Sequence, residues 1–98
     1  MVAFKKLDPL LHNQLRLAIM SLLMGTQEAD FNFLLEKTKA TRGNLSVQIT
    51  KLKDAGYIEV NKGFRDNYPH TSCKVLKKGI DAFENYVKSI SGYLNTDV

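Results

Sequence analysis

The residues with most to say about chemistry lie between Thr41 and Val60, in the run TRGNLSVQITKLKDAGYIEV. Leu45, Ile49 and Leu52 recur at steps of four and three and define the inward side of a helix. Successive steps of about 100° then put Gly43, Val47, Thr50 and Asp54 opposite, with Asn44 and Lys51 on one flank and Ser46 on the other. Apart from Arg42, the start of this outer face is uncharged. Such a surface suits close approach to base edges: Asn44 can pair with adenine, Arg42 with guanine, Ser46 or Thr50 with either, and Val47 can touch a thymine methyl. Lys51 and Lys53, farther along, fit phosphate contacts better. A helix of roughly 13 residues is about 20 Å long, and one end can enter a major groove about 12 Å wide.

Other chemistries lack their residues. His12, His70 and Cys73 are the only His and Cys side chains, and no three ligands share a metal-binding spacing. His70 and Cys73, three apart on an extended segment, would point to opposite faces. Neither a metal site nor a cofactor is expected. Phosphate-cradling, dinucleotide-binding and nucleophile-elbow patterns are missing, and the acidic residues fall mainly on exposed helix positions without a paired carboxylate. An enzyme is therefore not expected. Cys73 cannot make an internal disulfide, which agrees with a reducing compartment, and it reads as a small apolar strand residue rather than a redox sensor.

A chain of 98 residues is long enough to bury one modest core as a single domain. The net charge of +4 is unevenly placed: from Lys37 to Lys78, ten basic residues face three acidic ones, giving +7, while the remainder sums to −3. A basic centre with acidic flanks points to one surface that meets a polyanion and another that does something else. There is no apolar run long enough for a membrane span, and MVAFKKLDPL lacks the apolar core of a secretory signal. A cytoplasmic protein without a membrane partner is expected.

The elements that must position the polar face follow from periodicity. A first helix is predicted over Leu7 to Met24, opened by Asp8 and Pro9 and ended by Gly25, with Leu11, Leu15, Ala18, Ile19, Leu22 and Leu23 on its stripe. Leu10, Leu17, Met20 and Met24 lie off that stripe, which implies a second buried face. Asp30 can cap a short helix that turns Phe31, Leu34 and Leu35 inward and ends near Lys39; Thr41 caps the next, and Gly56 closes it. The spacing of these two is that of a helix-turn-helix. Ile58 and Val60, then Cys73 and Val75, alternate as strands of an antiparallel hairpin, joined by a long exposed loop from Lys62 to His70. Ile80, Phe83, Val87, Ile90 and Leu94, at steps of three and four, form the seam of a two-helix contact in a last helix from about Lys77 to Leu94. That contact is expected to be shared with a second chain.

From LHNQLRLAIMSLL through ATRGNLSVQITKLKDAGYIEV to NYPHTSCKVLKKG, the chain resembles winged-helix transcriptional regulators of the MarR and ArsR kind, in particular small single-domain MarR-like ones. The resemblance covers nearly the whole chain, and the run TRGNLSVQITKLKDAGYI is its most specific part. It implies a mainly α fold with a small β-hairpin, a winged helix-turn-helix with N- and C-terminal dimerisation helices. Residues 1–98 then form one DNA-binding domain, with the helix-turn-helix over about 30–55, the wing over about 57–76 and the C-terminal dimerisation helix over about 77–95.

Carried onto this sequence, base readout falls to Arg42, Asn44, Ser46, Val47 and Thr50. Thr41, Gln48, Lys51 and Lys53 join the wing residues Lys62, Arg65 and Lys74 as backbone contacts, with Gln48 leaning toward the core side. Related wings often carry a Gly-Arg pair shortly before the Pro; here Asp66 and Asn67 precede Tyr68 and Pro69, and the tip arginine is Arg65. Leu10, Leu17, Met20, Ile80, Phe83, Val87, Ile90 and Leu94 are the expected dimer interface. The partners implied are double-stranded DNA, as a pseudo-palindromic operator, and a second copy of the chain. A small-molecule effector has no dedicated domain here, although a cleft between terminal helices of a dimer could hold one. The competing reading is a winged helix that docks on an acidic protein; a regulator gated by metal or by Cys73 oxidation is a third.

Overall fold

Residues 4–95 are described by a computed structural model. The element order is α1 (Gln14–Thr26), β1 (Glu28–Asp30), α2 (Phe31–Thr38), α3 (Arg42–Asp54), β2 (Ile58–Arg65), β3 (Tyr68–Val75) and α4 (Lys77–Leu94). Short-range signals set the helix-turn-helix. The Asp30 carboxylate accepts from Phe33 N at 2.7 Å and starts α2, and the Thr41 hydroxyl accepts from Asn44 N at 3.2 Å and starts α3. Lys39, in the left-handed region at φ 60°, closes α2, so only a short link separates the two helices. Gly56, at φ 79°, supplies the left-handed residue after α3 that lets the chain turn into β2.

Two boundaries differ from expectation. Asp8 caps a turn and not a continuous helix: its carboxylate accepts from Leu10 N, its carbonyl accepts from Leu11 N and His12 N, and Asn13 then caps a helix that starts at Gln14. The Asp8 carboxylate also accepts from the Tyr57 hydroxyl, which ties this leading segment to the start of the hairpin. At the other end α1 runs through Gly25 to Thr26, and Gln27 rather than the glycine takes the positive φ.

The hairpin is longer and more regular than the predicted loop allowed. Strand pairing continues from Ile58↔Val75 to Arg65↔Tyr68, leaving Asp66 and Asn67 as a two-residue turn with φ of 52° and 66°. Both values belong to the primed turn whose twist matches that of paired strands, which Asp and Asn tolerate. Pairing of Glu28↔Lys74, Ala29↔Cys73 and Asp30↔Ser72 adds β1 on the far side, giving a three-stranded antiparallel sheet in the order β1-β3-β2.

Leu11, Ile19, Met20, Leu23, Leu34, Leu45, Leu52, Ile58 and Cys73 are fully buried and form the centre of the core. Met20 is thus part of the domain's own core, not of a spare outer face: its terminal methyl meets α4 at Gly79. Leu10 and Leu17 are half-buried against the same cluster. On α4, Ile80, Phe83 and Ile90 pack partly on the core, whereas Val87 and Leu94 are exposed. Tyr86 is the buried aromatic of this helix, and its hydroxyl shares a hydrogen bond with His12 Nδ1 at 3.0 Å. Among the described residues no helix is long and apolar enough to cross a membrane.

Candidate nucleic-acid interface

With Leu45, Ile49 and Leu52 buried, α3 turns Arg42, Asn44, Ser46, Val47 and Thr50 to solvent. Val47 is 50% exposed at the middle of this face. An apolar side chain in that position does little for the packing of its own domain, but it can lose water against an apolar group that approaches the helix.

The two flanks of the helix are different. On the wing side, Arg42, Ser46, Thr50 and Lys53 of α3 border an open cleft of about 350 Å³ whose opposite wall includes Lys62 and Thr71. Arg42, the first residue of α3, has its guanidinium carbon 5.8 Å from the centre of the Phe31 ring, a cation–π contact that holds it toward α2 and the wing. On the α1 side, Asn44 and Gln48 border a second cleft of about 350 Å³ with Asn13 and Gln14. Gln48 Nε2 donates to Asn44 Oδ1 at 3.0 Å, and Gln48 is half-buried, in keeping with its lean toward the core.

Positive charge collects at the rim. Lys51 and Lys53 are exposed in the last turn of α3, where they also oppose the negative end of the helix dipole. Lys62 shares a sheet face with Ile58 and Val60, so it stands on the side of the sheet that packs toward α3, and Arg65 ends β2 beside the turn. Lys74 does not join them. It lies on the opposite face of the sheet from Lys62, as Arg65 does by the same alternation, but at the inner end of the hairpin, where Glu59 and Glu28 are its cross-strand neighbours. The expectation that Lys74 belongs with Lys62 on one binding surface is corrected by this register.

Two residues that sequence reasoning passed over stand at the wing tip: Phe64 is 80% exposed and Tyr68 is 75% exposed. Phe64 had a signal in the alternation from Ile58, which, carried through Val60 and Lys62, reaches it; Tyr68, paired with Arg65, stands on the other face of the sheet. Cys73 is fully buried, and burial pushes its thiol up to about 11, so little reactive thiolate exists near neutrality. His70 and Cys73 fall on opposite faces of β3, as their spacing implied.

This arrangement, an exposed polar helix beside a basic antiparallel hairpin, has counterparts among known proteins. A solved transcriptional regulator homologue from Pyrococcus horikoshii superposes with a TM-score of 0.82 at 26% identity, covering 88% of this chain and 85% of that one. ZitR from Lactococcus lactis, solved as a cysteine-to-serine mutant in complex with DNA, shares the fold with a TM-score of 0.64 at 16% identity, over 96% of this chain and 66% of its own. An uncharacterized protein of Methanocaldococcus jannaschii is 37% identical over 75 residues, which are 76% of this chain and 82% of that protein. Residues 15–94 match the family described as the winged helix DNA-binding domain, and with the helix-turn-helix and wing in place the chain belongs to that family.

Proposed function

We propose that the protein is a sequence-specific transcriptional regulator that binds double-stranded DNA as a homodimer in the cytoplasm. In this reading α3 enters the major groove, and Arg42, Asn44, Ser46, Val47 and Thr50 meet base edges. Thr41, Gln48, Lys51, Lys53, Lys62 and Arg65 engage the sugar-phosphate backbone around it. The observation that carries the reading is the outer face of α3: half-exposed Val47 lies among uncharged polar residues, while the lysines stand at the rim. The DNA in the ZitR structure supports the same use of the fold. Exposed Val87 and Leu94 on α4 support a second copy packing there, which would place two recognition helices on one duplex.

Two such helices read half-sites about 10 base pairs apart, centre to centre. Selection of bound sequences from random duplex DNA, followed by footprinting, should yield a protected inverted repeat with that spacing. Binding should weaken steeply with added salt, since each neutralised phosphate releases counterions. Retention of no sequence, or affinity indifferent to ionic strength, would contradict the reading. The exposed Phe64 and Tyr68 favour a second use, contact with a protein. Loss of a captured protein on changing both to Ser, with DNA affinity intact, would identify it.

A further inference from the structure

Asn44 ends a chain of hydrogen bonds that begins outside the helix-turn-helix. Arg16, on α1, donates from Nε to the Leu10 carbonyl at 2.6 Å and from Nη1 to Gln48 Oε1. Gln48 Nε2 then donates to Asn44 Oδ1 at 3.0 Å. A carboxamide can present either end to a neighbour, but a guanidinium has only donors. Gln48 must therefore turn its oxygen to Arg16 and its nitrogen to Asn44. Asn44 must in turn give its oxygen to Gln48, which leaves the Nδ2 donors facing outward.

We propose that Arg16 is a specificity-determining positioning residue, which fixes Asn44 as a hydrogen-bond donor toward DNA. The contacted base should then offer acceptors on its major-groove edge, as guanine does with N7 and O6 or thymine with O4. Cytosine, which presents the N4 donor there, is rejected. Adenine is reached through N7 and is intermediate. This revises the simple Asn-to-adenine pairing expected from residue type alone. The inference rests on the DNA-reading function proposed above.

The test is selection from random duplex DNA with the intact chain and four variants, each checked for a cooperative melt. Asn44→Ala identifies the base position that depends on Asn44. At that position the natural chain should disfavour cytosine about ten-fold or more against guanine or thymine. Arg16→Lys keeps a donor-only group and should retain the preference, whereas Arg16→Met frees both amides to turn and should flatten it. Gln48→Glu offers two acceptors, so Asn44 must donate inward; its oxygen then faces the groove, and the preference should swing toward cytosine and adenine.

An unchanged preference in Gln48→Glu overturns the proposal, and that variant decides alone if Arg16→Met does not fold. Failure of the natural chain to select any sequence would instead remove the DNA-reading function and the inference with it. A selected motif that ignores Arg16 and Gln48 removes the inference only.

Discussion

The Tyr57 phenol donates to the Asp8 carboxylate, and burial, this hydrogen bond and the carboxylate charge together push its pKa up to about 12. In an unfolded chain the same group ionises at about 10. The fold therefore favours the neutral phenol, and the stability this contributes is complete below pH about 10 and is lost as pH rises through about 12. A phenolate absorbance titration should show one tyrosine ionising only at pH about 12, and Tyr57→Phe should abolish that late step. Persistence of the late step in the variant would show that another tyrosine is responsible. Residue types announced the helix caps Asp30 and Thr41 because a cap acts over three residues. They did not announce the link between Arg16 and Gln48, which lie 32 positions apart and meet only once α1 has packed on α3.

Elements were legible where their stabilising contacts are local and obscure where they are not. The periodicity of α3 and α4 was strong enough to give their limits, but β1 is only three residues long and exists because β3 offers it a partner. The outer half of the wing reads as a loop in the sequence because Gly63, Asp66, Asn67 and Pro69 are all turn formers, although only Asp66 and Asn67 make the turn. Close packing of α4 on the hairpin rests on a glycine. A Cβ at Gly79 would lie 2.2 Å from the Tyr57 carbonyl oxygen and 3.0 Å from the Met20 methyl. Gly79→Ala should destabilise the domain by at least about 1–3 kcal/mol in urea denaturation. Gly25→Ala, in α1 with nothing within 4 Å of the added carbon, should stabilise it by about 0.5–1 kcal/mol. Equal effects of the two would mean that α4 does not approach Tyr57 so closely.

The described residues span 58 × 25 × 21 Å, and their radius of gyration of 15.0 Å exceeds the value of about 13 Å usual for a compact domain of about 100 residues. A long shape spreads surface, and part of that surface is apolar: Val87 and Leu94 remain open on α4, although Tyr93 packs at a tilt against Phe4 and donates to the Lys5 carbonyl. Val87→Asp should leave the fold intact and convert the proposed homodimer to monomers in sedimentation. An unchanged mass would return α4 to a purely internal role. Ile90, also on the sequence-predicted seam, is a poorer probe because it already packs on the core. The hairpin brings a different constraint at this scale. Because strand pairing runs without interruption to Arg65↔Tyr68, the reach of the wing is a ruler marked in residue pairs. Insertion of a single residue between Val60 and Lys62 would send Lys62 to the far side of the sheet, and only changes of two residues in each strand keep the pattern. Descendants of this chain should therefore lengthen or shorten the wing in such paired steps of about 7 Å, and the range of groove geometries open to them comes in discrete sizes.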